Sequence, residues 1–273
     1  MLEGELRLDD VQGFMFDIDG TLLHRGEDFR GHPQPGAVEV LERIRASGRR
    51  LVLFTNGSHV PSARIAAACR EDGLHVTDEE LLTPVDSATA WLSRHPEHHP
   101  VLTFASESVR DHMRAHDVRL TDGDDAGAVF VAHLGDVDLD MVERAARAIT
   151  TRGAPLFTSS YVPGYAGRNG IIFSRGAMIT AAIAKVSGAR PRVLGKPSRA
   201  AVAALRARLG VPTRHMAVVG DDLNMDVVLG RMGGSRTVLV RSGISGRLGL
   251  EDIPERRRPD AIVDAVGDLL ERL

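Results

Sequence analysis

Hydrophobic and polar positions along the chain fall into short apolar runs that stop at polar residues, separated by stretches with helical spacing. The first run, Phe14-Met15-Phe16, passes into Asp17-Ile18-Asp19-Gly20-Thr21-Leu22. Periodicity alone does not separate a buried strand from a buried helix over so few residues, and the Gly-Thr turn signal favours the strand. A polar loop to Gly36 follows. Val38, Leu41 and Ile44 then predict a helix over 37–47, stopped by Gly48. Residues 50–57 repeat the opening theme, with Leu51 to Phe54 running into Thr55-Asn56-Gly57. A strand, a helix and a second strand at this spacing form a βαβ unit, whose strands run parallel. Both carboxyl ends then reach one sheet edge, so Thr55 and Asn56 are expected beside Asp17 and Asp19.

A helix over 61–71 and a strand end at 81–84 complete this first pattern. From Asp86 the alternation restarts, with helices expected at 88–94, 108–116, 139–151 and 176–187 and strands at 100–104, 128–132 and 155–159. The first pattern is expected to resume at Pro191-Arg192-Val193-Leu194-Gly195-Lys196-Pro197, followed by a helix at 200–209. His215 to Val219 is a further apolar run into carboxylates, Gly220-Asp221-Asp222, with Asn224 and Asp226 leading into a helix. Strands at 237–240 and 261–263 and a helix at 266–273 close the chain. The reading is an α/β protein: a doubly wound, Rossmann-like parallel sheet core, residues 1–85 and 186–273, with an inserted α/β cap domain at 86–185.

Composition narrows the partners. A formal charge of −3 leaves no basic footprint for nucleic acid, and aromatics at 4% provide few stacking platforms. No apolar run approaches the ~18 residues of a membrane helix. The residues from Met1 to Asp10 are polar, without a signal-like apolar region, and Cys69 is the single cysteine. A cytoplasmic setting is expected, with Cys69 as a small apolar residue on a helix.

The chemistry gathers where the strands end. Asp17 with Asp19, Thr55 with Asn56, Lys196, and Asp221 with Asp226 are expected at one edge, where open α/β sheets bind ligands. Carboxylates are hard oxygen ligands suited to Mg²⁺, and the lack of His or Cys there disfavours zinc. A cation, an ammonium and a hydroxyl beside carboxylates suit a phosphoryl group, on which a carboxylate can act as nucleophile. Other stretches read more plainly. Asp136-Val137-Asp138-Leu139-Asp140 lacks the glycine of a calcium loop and fits a helix start. His95, His98 and His99 fit a solvated loop, Arg256-Arg257-Arg258 a surface run, and residues 122–127 a surface turn.

These motifs together resemble the four motifs of the haloacid dehalogenase (HAD) phosphatase superfamily. The Thr-Asn-Gly and Gly-Lys-Pro forms and the large insert resemble its NagD-like branch, which carries a type-two α/β cap. The resemblance implies Mg²⁺-dependent hydrolysis of a small phosphomonoester through an aspartyl-phosphate, the substrate being of the sugar phosphate, nucleotide, phosphoglycolate or pyridoxal phosphate class. It implies that Asp17 is nucleophile and metal ligand, and that Asp19 is general acid and base with a backbone carbonyl on the metal. Asp221 is implied as a metal ligand, and Asp226 with Asp222 as supporting acids. Thr55, Asn56, Gly57 and Lys196 are implied to hold the phosphate. Members commonly carry Asn-Pro-Asp where this chain has Ser159-Ser160-Tyr161-Val162-Pro163-Gly164-Tyr165. In that return segment Tyr161, Tyr165, Arg168 and Asn169 are groups able to stack on or hydrogen-bond a leaving group. The same residues would serve a phosphotransferase or mutase, or, with a catalytic loss, a phosphometabolite-binding module. Oligomeric state stays open, a homodimer among the options.

Overall fold

The computed structural model describes residues 8–25, 30–167, 170–246, 251 and 253–273. These residues form two compact units. The first comprises the described residues of Met1–Thr55, Ala63–Leu82 and Val202–Leu273, and the second those of Asn56–Ser62 and Thr83–Ala201. Elements are numbered along the whole chain.

In the first unit, β1 (Gly13–Phe16), β4 (Arg50–Phe54), β5 (Leu81–Leu82), β13 (Met216–Gly220), β14 (Arg236–Val240) and β15 (Ala261–Val263) form one sheet. Its order is β15-β14-β13-β1-β4-β5, and every pairing is parallel. A small antiparallel hairpin, β2 (Leu23–Arg25) and β3 (Gly31–Pro33), lies within the segment expected as plain loop. Alternate strand residues point to opposite faces. Phe14, Phe16, Leu51, Leu53, Ala217 and Val219 pack with Val40, Leu41 and Ile44 of α1 (Ala37–Ala46) and Ala66 and Cys69 of α2 (Ser62–Glu71). On the other face, a methyl at Gly230 of α8 (Val228–Gly233) would meet Val218 Cβ at 3.1 Å, so the missing side chain sets how closely helix and strand approach. Cys69 is buried on its helix, as expected.

The second unit has its own parallel sheet. It uses β6 (Val101–Phe104), β7 (Leu120–Thr121), β8 (Ala128–Val131), β9 (Leu156–Thr158) and β12 (Arg192–Val193), in the order β12-β9-β8-β6-β7. Val101, Phe130 and Phe157 face α3 (Pro84–Leu92) and α4 (Glu107–Ala115). Leu102, Phe104, Val129, Val131 and Leu156 face α5 (Leu139–Arg152) and α6 (Arg175–Ser187). An antiparallel hairpin, β10 (Gly164–Gly167) and β11 (Gly170–Phe173), precedes α6. α7 (Arg199–Leu209) begins where this unit ends.

Several expectations are revised. Pro191 was expected to reopen the first unit, but β12 pairs with β9, Arg192 opposite Phe157, and residues up to Ala201 cluster with the second unit. Two strand residues carry no signal of which sheet they join. Helix α3 starts at Pro84, ahead of the expected 88, because Thr83 and Asp86 form a reciprocal capping box with proline at the first turn. Of the histidines expected as a solvated loop, His95 and His98 stack on Trp91, the His95 ring at 3.8 Å between centroids, and His99 Nε2 lies 3.1 Å from the Leu92 carbonyl. Asp138 caps α5 by accepting from Met141 N, so that acidic run is the helix start expected of it. The last helical stretch, Val266–Glu271, is a 3-10 helix.

Candidate active site

β1 and β13 lie side by side in register, Phe16 opposite Val219, and the Asp17 N–H continues the ladder to the Val219 carbonyl at 2.9 Å. The two strands therefore deliver Asp17 and Asp221 to one sheet edge, as parallel pairing requires. Asp226 joins them from a single wide turn, Leu223–Val227, that leads into α8. One carboxylate oxygen from each of Asp17, Asp221 and Asp226 lies within 4.8 Å of the other two. All three residues are buried, at 8%, 2% and 1% exposure.

Like charges so close are costly. At an effective dielectric of about 20, two unit charges at such a separation repel by roughly 3 kcal/mol. Burial raises the cost further, so the cluster calls for a cation or shared protons.

The surroundings are cut to hold the carboxylates. A methyl at Gly243 would sit 1.8 Å from Asp221 Oδ2, and one at Gly20, whose φ is +90°, would sit 2.5 Å from the same oxygen. A methyl at Gly220 would meet the Asp226 carboxyl carbon at 2.2 Å. The Ile244 N–H donates to Asp221 Oδ2 at 2.7 Å, and the Ser245 N–H donates to the Asp221 carbonyl at 3.0 Å. Thr21 Oγ1 makes a long contact of 3.5 Å to Asp221 Oδ1. Ser242 Oγ donates to the Gly20 carbonyl at 2.6 Å, tying this loop to the turn after Asp17. Sequence reasoning missed the 242–245 loop, whose Ser-Gly-Ile-Ser composition resembles any surface turn.

The remaining predicted residues are distributed as follows. Asp19 is exposed, two residues beyond Asp17 in a turn closed by Gly20 N donating to the Leu23 carbonyl at 2.7 Å. Its carboxylate is not in the trio that could hold a metal ion, and Asp226, expected as an outer acid, is. Asp222 caps the turn, its Oδ1 accepting from Asn224 N at 2.7 Å and Met225 N at 3.3 Å. Thr55 is buried directly after β4 in the first unit. Asn56, Gly57, Tyr161 and Lys196 belong to the second unit. There Lys196 is wholly buried, three residues after β12, and Asn56 and Tyr161 are exposed. A buried ammonium of this kind is retained only with anionic or hydrogen-bonding partners. A methyl at Gly195 would lie 2.2 Å from the Ser159 carbonyl, so the glycine brings Lys196 against the end of β9. Tyr165 lies on β10, and Arg168 and Asn169 lie outside the described residues.

Comparison with known proteins supplies the family. The model for haloacid dehalogenase-like hydrolases matches residues 14–119, and a second, HAD-hydrolase-like, matches 193–269. Ribonucleotide monophosphatase NagD of Escherichia coli is 28% identical over 259 residues, covering 95% of this chain and 98% of that protein. The p-nitrophenyl phosphatase structure from Archaeoglobus fulgidus superposes with a TM-score of 0.84 at 26% identity, covering 97% of this chain and 100% of that one. A glycerol phosphate phosphatase from Mycobacterium tuberculosis, solved in complex with calcium, gives 0.81 at 26% identity, over 96% of this chain and 73% of that one. With its parallel sheet and strand-end carboxylates, the chain belongs to the haloacid dehalogenase-like hydrolases. Within that family it is NagD-like.

Proposed function

We propose that this protein is a Mg²⁺-dependent phosphatase that hydrolyses a small phosphomonoester through a phosphoryl group carried on Asp17. The observation that carries the reading is the buried convergence of Asp17, Asp221 and Asp226 at the strand ends, with glycines at 20, 220 and 243 making room for their carboxylates. Three hard oxygen donors fit a divalent cation, and the relative solved with calcium is consistent with such a site. Asp17, Asp221 and Asp226 would hold the ion with their side chains, Asp19 adding its backbone carbonyl. Once bound, the ion would neutralise charge between carboxylate and phosphate oxygens.

In this reading a carboxylate oxygen of Asp17 attacks phosphorus, and the bond to the ester oxygen breaks. Asp19, exposed and two residues on, gives its proton to the departing oxygen. It then takes a proton from water as that water attacks the phosphorus, which frees phosphate and restores Asp17. Thr55, Asn56, Gly57 and Lys196 keep the phosphate-holding part. Tyr161, Tyr165, Arg168 and Asn169 keep the part facing the leaving group, and Asp226, expected as a supporting acid, joins the ligands. The three relatives above are named for different phosphate esters, which favours a core that reads phosphate and leaves selectivity to other residues. A single, buried cysteine accords with a cytoplasmic setting. Among the described residues no helix is long and apolar enough to cross a membrane.

The experiment is phosphate release from p-nitrophenyl phosphate and a panel of metabolite esters, without added acceptor alcohol. Wild type should release phosphate, Asp17→Asn should release none, and Asp19→Asn should lose about 10²–10⁴-fold. Release that depends on an added acceptor would instead make the enzyme a phosphotransferase. Near-normal turnover by Asp17→Asn would remove the nucleophile assignment.

A further inference from the structure

The five strands of the second sheet run parallel, so they end on one edge, and Asn56–Ser62 is laid across that edge. Ser58 Oγ and Ser159 Oγ, the latter directly after β9, lie 3.2 Å apart. The His59 ring meets the ring of His133, two residues beyond β8, at 6.1 Å between centroids with an interplanar angle of 69°. The His59 carbonyl accepts from Ser106 Oγ, two residues beyond β6, at 2.9 Å. The segment thus touches the ends of β9, β8 and β6 in turn, with Lys196 following β12 next in line. This is the edge where parallel sheets place ligands.

The two imidazoles are unspent. His59 is exposed and His133 half-buried, and among the described residues neither ring makes a hydrogen bond. Arg175, the first residue of α6, donates to the Gly135 carbonyl close by. His133 is held below the usual imidazole range, first by burial and then by the positive fields of His59 and Arg175. An acidic group placed against the rings would be drawn by all three and would relieve their mutual repulsion.

We propose that His59 and His133 form a subsite for a second acidic group of the substrate, a carboxylate or a further phosphate, on the same strand edge as Lys196. The proposal rests on the phosphatase reading above. Spacing supports it, because strands lie about 4.8 Å apart, which puts the end of β8 about 10 Å from that of β12. A span of that order exceeds a lone phosphate and suits an ester that carries a second acid.

The test compares kcat/KM for 3-phosphoglycerate and glycerol 3-phosphate, which differ only in a carboxylate for a hydroxymethyl group. Propane-1,3-diol bisphosphate supplies the second-phosphate arm and p-nitrophenyl phosphate the control. Wild type should favour an acidic ester, and whichever acid is favoured identifies the group. His59→Gln and His133→Gln should each lose about tenfold or more on that ester, with little change on glycerol 3-phosphate and p-nitrophenyl phosphate. An unchanged preference in both variants, or an equal fall on every ester, overturns the subsite. If wild type cleaves none of these esters, the phosphatase reading fails by itself. The subsite is then decided by imidazole ¹⁵N resonances, which 3-phosphoglycerate or the bisphosphate should move towards the protonated form while glycerol 3-phosphate does not. No response to either 3-phosphoglycerate or propane-1,3-diol bisphosphate overturns it.

Discussion

Gly243 shows how narrowly the site is built at the scale of single residues. Its missing side chain is what allows Asp221 to reach the cluster, since a methyl there would lie 1.8 Å from Oδ2. The neighbour is a carboxylate held by the Ile244 N–H, so it has little freedom to yield. Gly243→Ala should therefore displace Asp221 and weaken metal binding at least tenfold, at a stability cost of about 1–3 kcal/mol typical of overpacking. Metal titration by calorimetry alongside a urea melt would check both parts, and unchanged metal affinity would contradict the cradle. Asp17 and Asp221 were legible because an apolar run that ends in acids is a strong strand-end pattern. The place of Asp226 inside the cluster was not, because it depends on a single wide turn rather than on any periodicity. Asp222 looked equivalent on paper, yet it lies outside the trio and its Oδ1 accepts from the N–H groups of Asn224 and Met225.

Among the elements, α3 illustrates what local chemistry decides. Apolar spacing suggested a start at Ala88, but Thr83-Pro84-Val85-Asp86 is a complete start signal of its own. Thr83 N and Oγ1 both donate to Asp86 Oδ2, at 2.8 and 2.7 Å, and Ser62 Oγ reaches Asp86 Oδ1 at 3.0 Å. One buried carboxylate thus fixes the helix start and the residue that opens α2. Thr83→Ala should cost about 1–2 kcal/mol, towards the upper end for a cap because the site is buried and Asp86 loses a partner. Urea denaturation would measure it, and a loss below about 0.3 kcal/mol would mean that the box contributes little. The hairpins β2–β3 and β10–β11 escaped notice for the opposite reason: their strands of three or four residues are too short for alternation to register.

For the whole molecule, the sequence revealed two parallel α/β sheets because buried parallel strands read as continuous apolar runs. It did not reveal where the chain passes from one unit to the other, since a run as short as Arg192-Val193 satisfies either sheet equally. The consequence is chemical: Lys196, Asn56 and Gly57 fold with the second unit, whereas the buried carboxylates and Thr55 fold with the first. The central claim is that the carboxylates of Asp17, Asp221 and Asp226 act through a divalent cation on a phosphomonoester. Its most direct measurement is phosphate release from p-nitrophenyl phosphate by protein stripped with chelator, before and after addition of Mg²⁺. The account predicts no turnover in the stripped protein and recovery that saturates with Mg²⁺. Full turnover by the stripped protein, unchanged when Mg²⁺ is added, would contradict it.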